Sequence, residues 1–148
     1  MKVIARNKKA TFNYFIEEKF EAGIALLGTE IKSIRAGKVS IQDSYIRIKN
    51  NEAFIINMHI AKYKEGNIFN HEETRERKLL LHKREIVKLA QASTLERKTI
   101  VPTQVYLKEG LAKVEIALAT GKKLYDKRQS LKEKDLSRHL EKIARKNF

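Results

Sequence analysis

The sequence predicts a mainly β protein, a small antiparallel barrel with two short helices, followed by a basic C-terminal tail. Three observations predict this class: apolar and polar residues alternate over strand-length stretches, short turn sequences join those stretches in pairs, and only two patterns have helical spacing. The 148 residues are 42% hydrophobic, which is enough for one core. Closing the sheet into a barrel removes exposed strand edges, so we expect an OB-like barrel.

The first strand pattern spans residues 12–26. Its even-numbered positions are apolar, interrupted only by Glu18, while Lys19 and Glu21 belong to the other face. A period of two predicts one long, half-buried strand. Gly23 marks the point where this strand is expected to bend or bulge.

Two hairpins and one isolated strand complete the predicted sheet. In the first hairpin Ile46 and Ile48 share a face, residues 49–52 form the turn, and the even-numbered residues 54–60 share a face. In the second hairpin a turn at 108–110 joins strands over 101–107 and 112–118. Pro102, the only proline, is expected at an edge or a bulge. The three leucines at 79–81 predict a short buried strand.

Two segments have helical character. Residues 28–37 (GTEIKSIRAG) predict a two-turn helix with Thr29 as the N-cap and Gly37 just beyond the last turn. Residues 82–93 predict a second helix, because apolar or small residues recur there at helical spacing. The buried positions expected in this helix are Ile86, Leu89, Ala90 and Ser93.

The net charge of +14, from 32 Lys and Arg against 18 Asp and Glu, is the strongest functional indication. Such an excess destabilises the compact state unless a polyanion or salt offsets it, and nucleic acid is the polyanion we favour. An anionic membrane surface is the alternative, but its typical amphipathic helix with tryptophan is missing. No apolar run approaches the length of a membrane span, no secretory signal precedes the first strand, and there is no cysteine, so we expect a cytoplasmic protein.

The sequence patterns that would indicate an enzyme are all incomplete in this chain. Residues 119–123 (ATGKK) resemble the end of a phosphate-binding loop, but Ile116 stands where that loop needs glycine and Lys123 where it needs Ser or Thr. The four histidines show no metal-binding spacing. Glu30 and His82 could act as an acid–base pair, yet nothing in the sequence brings them together, and a carboxylate is ordinary near a helix N-terminus. We predict no catalytic residue, no metal and no cofactor.

Basic and aromatic side chains have competing interpretations. The cations of residues 83–88 fit a solvated helix face about as well as an RNA contact. Tyr45, Tyr63 and Tyr125 are candidates for stacking on bases, because they fall on polar faces or in loops. The other aromatic residues, among them Phe12, Tyr14 and Phe20, are expected in the core.

The tail, residues 121–148, contains ten Lys or Arg and four Asp or Glu, which makes it denser in charge than residues 1–120. Its apolar positions Leu136, Leu140 and Ile143 form only a narrow stripe, and an isolated helix of this length is marginal in water. We therefore expect a segment that is disordered when free and becomes helical along a polyanion. An ordered, exposed helix packed by those three residues is the alternative.

Several sequence blocks resemble the small protein B family, bacterial proteins that bind transfer-messenger RNA (SsrA RNA). They cover nearly the whole chain in order. The blocks are NKKA (7–10), AGIALLGTEIKSIRAGK (22–38), DSYIRI (43–48), HIAKY (59–63), RERKLLLHKREI (75–86), IVP (100–102), KVEIALATGKK (113–123) and YDKRQSLKEKD (125–135). Two positions depart from the family pattern: Arg97 stands where glycine is common, and the loop with Glu72 and Glu73 is unusually acidic.

The resemblance implies a non-catalytic adaptor. Its OB-like barrel, residues 1–120 with a basic arm at 1–10, would bind the tRNA-like domain of transfer-messenger RNA. Residues 121–148 would enter the empty messenger channel of a stalled ribosome and become helical there. The implied partners are transfer-messenger RNA, the small ribosomal subunit and its RNA, and elongation factor Tu with GTP through the charged RNA. The protein is expected to be a monomer with no membrane contact.

The resemblance also implies site residues. Those expected to face the tRNA-like domain are Asn7, Lys8, Glu30, Lys32, Ser33, Arg35, His59 and Tyr63. Glu30 would accept hydrogen bonds from base or ribose donors, or orient Lys32 or Arg35. In the tail, Gly121, Lys122 and Lys123 would form a hinge. Tyr125, Asp126, Lys127 and Arg128 would meet RNA at the decoding centre, with Lys132 and Lys134 along the channel.

Two other functions remain open from the residues alone. One is a general OB-type ribosomal or RNA-binding protein that binds through phosphates with little preference. The other is an RNA-processing enzyme that uses Glu30 and a histidine.

Overall fold

The computed structural model describes residues 1–63 and 70–123, together with Arg128 and Arg138. Within these residues the chain forms nine β-strands and three α-helices. In chain order they are β1 (Lys2–Arg6), α1 (Lys8–Asn13), β2 (Tyr14–Ile24), α2 (Gly28–Arg35), β3 (Val39–Ser40), β4 (Tyr45–Lys49), β5 (Glu52–Ile56), β6 (His59–Ile60), β7 (Arg77–Leu80), α3 (Lys83–Leu95), β8 (Thr99–Lys108) and β9 (Leu111–Gly121).

Seven of these strands form one antiparallel sheet in the order β1-β8-β9-β2-β7-β5-β4, and β3 pairs with β6. β4, at one end of that order, lies against β8 near the other end, so the sheet curls into a barrel. The prediction of a mainly β, barrel-like fold with short helices is confirmed. The segment expected as a basic arm contains β1, which pairs with β8, and the start of α1. No described helix is long and apolar enough to cross a membrane.

β2 follows the predicted alternation only in part. Phe20, Ala22 and Ile24 are buried, as the even-numbered pattern predicts. Phe12 lies in α1 rather than in a strand, because the Asn7 side chain caps that helix.

The bulge of β2 is also displaced from its predicted position. Its register with β9 shifts between Ile16 and Glu18, not at Gly23. Gly23 instead permits close packing of β7, because a Cβ there would lie 3.2 Å from Leu80 Cβ.

The first hairpin has the predicted turn and a different core face. Asn50 and Asn51 adopt φ values of 53° and 60°, which suit a tight hairpin turn. β5 buries its odd-numbered residues Ala53 and Ile55, so the prediction that 54–60 is one strand with an even-numbered core face is wrong for β5. Asn57, with φ of 62°, ends the strand and changes the face, after which Met58 and Ile60 are buried.

The second hairpin agrees with prediction. Its register shifts between Pro102 and Gln104, which confirms a bulge beside the proline. Of the three leucines at 79–81, Leu79 is buried and Leu80 is 54% exposed, so they are not uniformly buried as expected.

The helices differ from prediction mainly at their ends. α2 begins two residues earlier than expected, with Leu27 rather than Thr29 as the N-cap residue, and Gly37 beyond it has φ of 78° as predicted. α3 buries Leu89 and Ala92, whereas Ser93 is exposed. α2 inserts Ile34 and α3 inserts Leu89 into the same main core.

Candidate nucleic-acid interface

Glu30, in the first turn of α2, lies inside the protein. Its side chain has 0% relative exposure. The carboxylate accepts hydrogen bonds from Arg75 (Nη2 to Oε1, 2.5 Å; Nε to Oε2, 3.2 Å), from Arg77 Nε, and from the Leu27 N–H (2.8 Å to Oε1). A buried carboxylate with two guanidinium partners is fully compensated in charge and hydrogen bonding.

Arg77 connects this carboxylate to the neighbouring chain segments. It is completely buried on the inner face of β7. Besides Glu30 it donates Nη1–H to the carbonyl of Met58 (2.6 Å) and Nη2–H to the carbonyls of Glu73 (3.1 Å) and Glu72 (3.4 Å). We call Glu30, Arg75 and Arg77 the buried ionic cluster. It fixes α2 relative to β7 and to the segment that follows β5.

The ionisation of Glu30 follows from these contacts. Burial raises the pKa of its carboxyl, but the hydrogen bonds from Arg75, the Leu27 N–H and Arg77 outweigh burial, so the pKa lies below its ordinary value. Burial also lowers the pKa of Arg77, against the opposing effect of Glu30. A guanidinium nevertheless stays charged in proteins, so the cluster carries a net positive charge at neutral pH.

The buried ionic cluster corrects the expectations for Glu30. Its cationic partners are Arg75 and Arg77, so the prediction that it orients Lys32 or Arg35 is wrong. Its enclosed carboxylate presents no acceptor at the surface for a base or ribose. His82, its hypothetical catalytic partner, instead begins α3, where its N–H donates to Glu85 (3.0 Å).

Two further predicted contact residues, Asn7 and Ser33, are buried. Ser33 is 1% exposed and donates its hydroxyl to the carbonyl of Ala61 (2.7 Å). This bond joins α2 to the segment after β6 rather than to the surface.

Asn7 is 3% exposed, and its side-chain amide is fully engaged. The oxygen accepts from the Ala10 N–H (3.0 Å), and the NH₂ group donates to the carbonyls of Ile41 (3.1 Å) and Pro102 (2.9 Å). Asn7 thereby ties β1, the end of β3 and β8 together. The geometry offers no free group of Asn7 or Ser33 to an RNA.

The predicted set also contains three exposed cations and the half-buried ring of Tyr63. Lys32 Nζ lies 5.5 Å from the centroid of the Tyr63 ring. Arg35 reaches the carbonyl of Gly110 with Nη2 at 3.5 Å, and Lys8 is exposed in α1. The structure therefore brings Lys32, Arg35 and Tyr63 to one end of α2, while Lys8 belongs to a separate helix.

Two residues that the sequence analysis missed, Lys38 and Lys62, lie near this end of α2. The Ala61 N–H donates to the carbonyl of Lys38 (3.1 Å), so residues 61–63 run beside the end of the helix. Among the described residues, no carboxylate lies within ion-pair distance of the cations there. We define the α2 cationic edge as Lys32, Arg35, Lys38 and Lys62.

His59 and Tyr63 are held by polar contacts of their own. His59 Nε2 lies 2.8 Å from Glu73 Oε2, and this contact lowers the pKa of the Glu73 carboxyl. Asn70 donates to the carbonyl of Tyr63 (2.8 Å) and accepts from the Tyr63 N–H (3.3 Å). The segment on both sides of residues 64–69 is thus fixed next to α2.

A further polar link lies at the start of α2. His71 is buried between the hydroxyl of Thr29 (2.9 Å to Nδ1) and the carbonyl of Ile60 (2.8 Å to Nε2). The carbonyl can only accept, so Nε2 carries the proton and Nδ1 can accept from Thr29.

The sequence held one usable indication of the buried ionic cluster. Arg77 and Leu79 are two residues apart on one strand and so share its core face, and an arginine on a core face requires a buried anion.

The base of the tail is attached to the sheet. Gly121 is the last residue of β9, and the Lys122 N–H donates to the carbonyl of Asn13 (2.8 Å). Lys122 Nζ lies 5.1 Å from the Phe15 ring. Lys123 and Arg128 are exposed. The predicted contacts Tyr125, Asp126, Lys127, Lys132 and Lys134 lie outside the described residues, as does the segment predicted to be disordered when free and helical along a polyanion.

Comparison with known proteins gives a consistent assignment. The family model for the SmpB protein matches residues 4–146. The SsrA-binding protein of Acholeplasma laidlawii is 62% identical over 138 residues, 93% of each chain, and that of Shouchella clausii is 57% identical over 147 residues, 99% of this chain and 94% of the relative. A solved structure described as "tmRNA-SmpB: a journey to the center of the bacterial ribosome" aligns with a TM-score of 0.69 and 44% identity, covering 84% of this chain and 87% of the other. The chain belongs to the SmpB protein family.

Proposed function

We propose that this protein is a transfer-messenger RNA-binding adaptor that acts in trans-translation on the ribosome. Family membership over residues 4–146 and relatives that are SsrA-binding proteins support the RNA partner. The 44% identical structure, which concerns tmRNA and SmpB in the ribosome, supports the place of action. In this chain, the observation that carries the proposal is the α2 cationic edge beside Tyr63, where Lys32 Nζ lies 5.5 Å from the ring centroid and no described carboxylate forms an ion pair with the four cations.

The α2 cationic edge supplies the recognition chemistry of the barrel. Its four cations can contact phosphates of the tRNA-like domain, and each neutralised phosphate releases counterions. Tyr63 offers a ring near Lys32 at which a base can stack. Glu30 and Ser33 contribute indirectly, by fixing the helix that carries Lys32 and Arg35.

We propose a division of labour between residues 1–120 and 121–148. The barrel binds the tRNA-like domain at its elbow, in place of the missing anticodon arm, and the complex enters the vacant A site of a stalled ribosome. The tail, with its six excess positive charges, enters the messenger channel only when no messenger occupies it. Translation then switches to the tag-encoding frame, and the incomplete protein is marked for degradation.

Within the tail, the proposed contacts follow the family resemblance. Tyr125, Asp126, Lys127 and Arg128 meet decoding-centre RNA, with Tyr125 stacking on a base. Lys132 and Lys134 follow the channel, and residues 121–123 connect the tail to the barrel. Elongation factor Tu with GTP joins through the charged RNA. The adaptor is a cytoplasmic monomer that needs no cofactor and catalyses no reaction.

The test compares two RNAs and two proteins across a salt series. Affinity for the tRNA-like domain and for an ordinary tRNA is measured with the full chain and with residues 1–123, which retain β9 and the Lys122–Asn13 bond. We expect a preference for the tRNA-like domain that survives both high salt and truncation, while tagging on stalled ribosomes is lost on truncation. Equal binding of both RNAs, with an affinity that vanishes with salt, would instead identify a general polyanion binder.

A further inference from the structure

The outer surface of β4, β5 and β7 carries apolar side chains that do not pack into the core. Residues two apart on a strand share a face, and the inner face here is formed by Ile46, Ala53, Ile55 and Leu79. Tyr45, Phe54 and Ile56 lie on the opposite, outer face. None of these three belongs to the hydrophobic core clusters or to the residues packed against them, and Tyr45 is 39% exposed.

Cations flank these apolar side chains. The strand register places Tyr45 opposite Ile56 and Arg47 opposite Phe54, and on its other side Phe54 is opposite Lys78. We define the outer β4–β5 face as Tyr45, Arg47, Phe54, Ile56 and Lys78. Arg47 forms no ion pair with any described carboxylate, and Lys78 contacts Glu52 at 3.2 Å with both side chains 46% exposed.

The two rings of the outer β4–β5 face differ from three other aromatic rings of the molecule in their contacts with cations. Lysine Nζ atoms lie over Phe15, Phe20 and Tyr63 at 5.1, 6.0 and 5.5 Å. Within the described residues, no cation lies over Tyr45 or Phe54. Tyr45 is exposed and Phe54 is half-buried, so both rings keep part of their surface accessible to a partner from solution.

We propose that the outer β4–β5 face binds unstacked bases of single-stranded RNA. Tyr45 and Phe54 stack on bases, while Arg47 and Lys78 contact the phosphates beside them. Tyr45 and Phe54 are diagonal neighbours on adjacent strands, typically about 7–8 Å apart, so that two bases of one strand can be accommodated. Aromatic rings interleaved with cations are the usual composition of such surfaces.

Charge complementarity favours RNA over an apolar protein segment as the ligand of the outer β4–β5 face. Docking an apolar segment would bury Arg47 without an anion, which is unfavourable, whereas an RNA backbone supplies phosphates at that position. The face shares no residue with the α2 cationic edge. This binding site therefore goes beyond the adaptor function, and its failure would leave recognition of the tRNA-like domain by the α2 cationic edge intact.

The test is photo-cross-linking with the full-length protein and a short oligouridine that contains one 4-thiouridine. Cross-linked peptides are mapped by mass spectrometry, and affinity is measured for Tyr45→Leu and Phe54→Leu, which keep an apolar side chain but remove the ring. We expect cross-links within residues 45–56 and a loss of affinity of about fivefold or more for each variant, the value of one lost base stack. Val87→Ala removes exposed apolar surface on α3 and serves as the matched control, with unchanged affinity.

Cross-links confined to peptides outside residues 45–56, with wild-type affinity of both leucine variants, would overturn the proposal. Because the cross-link map uses the unmodified protein, misfolding of a variant cannot obscure the answer. If the leucine variants bind oligouridine normally but lose a ribosomal protein partner, the face is a protein-docking surface and the proposal is wrong.

Discussion

Glu30 and the glutamates of β2 form the same kind of ion pair in opposite surroundings. In the buried ionic cluster, Glu30 and Arg77 have no exposed side-chain surface. On β2, three glutamates pair with lysines from other parts of the chain, and all six side chains are between 29% and 57% exposed. These pairs are Glu17–Lys98 (2.8 Å), Glu18–Lys88 (2.6 Å) and Glu21–Lys108 (3.3 Å).

The difference shows two uses of a carboxylate in a strongly basic protein. Inside, desolvation makes a missing partner costly, so the cluster determines where α2 lies. Outside, solvent and salt screen the pairs, so their effect on stability is small and they mainly compensate local charge. No described carboxylate forms an ion pair with the cations of the α2 cationic edge. Four substitutions of decreasing expected effect test this contrast.

The largest effect is expected for Glu30→Gln. Removing the buried anion leaves Arg77 without its counter-charge, so the free energy of unfolding should fall by about 3–5 kcal/mol. Chemical denaturation measures this value. The double variant Glu30→Gln with Arg77→Met removes both buried charges and should recover part of the loss. A decrease below about 1 kcal/mol would contradict the importance of the cluster.

The same cluster predicts a pH dependence. The pKa of Glu30 is lower in the folded than in the unfolded protein, so its contribution to stability is complete above the unfolded value of about 4.3. That contribution disappears as the pH falls through the folded pKa. Denaturation at several pH values should show a difference between wild type and Glu30→Gln that shrinks in acid. If the difference in unfolding free energy between the two proteins did not change with pH, the lowered pKa of Glu30 would be contradicted.

The second effect concerns Asn7, a buried polar group without charge. Asn7→Ala removes the cap of α1 and both hydrogen bonds from the NH₂ group, at an expected cost of about 2–3 kcal/mol. Asn7→Asp keeps the capping oxygen but places a buried carboxylate oxygen against the carbonyls of Ile41 and Pro102, so at neutral pH it should lose at least as much unfolding free energy as Asn7→Ala. Equal stability of Asn7→Asp and wild type would show that the bonds to Ile41 and Pro102 contribute nothing.

An intermediate case is Tyr106, which connects the two environments. Its buried hydroxyl donates to Glu21 (2.7 Å), whose other partner is the exposed Lys108. Tyr106→Phe should lower the free energy of unfolding by only about 1 kcal/mol. The Glu21 carboxylate loses a hydrogen-bond donor, but water can replace that donor. Burial, aided by Glu21, raises the pKa of the tyrosine. Tyr106 should therefore titrate above the ordinary range of a tyrosine by absorbance, and this titration should be missing from the variant.

The smallest effect is expected for Lys98→Ala. Lys98 contacts Glu17 (2.8 Å) and Glu96 (3.2 Å) at the surface, and its pKa is raised by these hydrogen bonds. At physiological salt the denaturation midpoint should equal that of wild type, and any difference at low salt should vanish as salt is added. A loss comparable to that of Glu30→Gln would remove the distinction between the two regions.

The sequence predicts the positions of strands and turns better than it predicts which face of a strand is buried or which distant polar groups are in contact. Turn chemistry located both hairpins and the bulge at Pro102, because Asn and Gly tolerate the positive φ of tight turns and Pro cannot donate a hydrogen bond to the neighbouring strand. The core face of β5 could not be assigned, since Phe54, Ile55 and Ile56 are all apolar and only tertiary packing selects Ile55. Arg97 adopts φ of 54°, the left-handed conformation in which glycine is commoner.

The candidate site shows the same limit. Lys32 and Arg35, which the resemblance also assigned to the RNA-facing side, are exposed, and an exposed cation requires only a surface position on a helix. Glu30, Ser33 and Asn7 were assigned to the RNA-facing side by resemblance, although each has a buried structural partner. Such partners are distant in sequence: Glu30 lies 45 and 47 residues from Arg75 and Arg77, and Asn7 lies 95 residues from Pro102.

The most direct test of the account measures unfolding and RNA binding on two variants of α2. One variant is Glu30→Gln and the other combines Lys32→Gln with Arg35→Gln. For the double variant we predict an unchanged denaturation midpoint and a salt dependence of tRNA-like-domain binding that is shallower by about two phosphates, each worth about 0.7–0.9 in slope. For Glu30→Gln we predict reduced stability and a wild-type slope. The reverse pattern, an altered slope in Glu30→Gln with none in the double variant, would contradict the assignment of Glu30 to the fold and of Lys32 and Arg35 to the RNA.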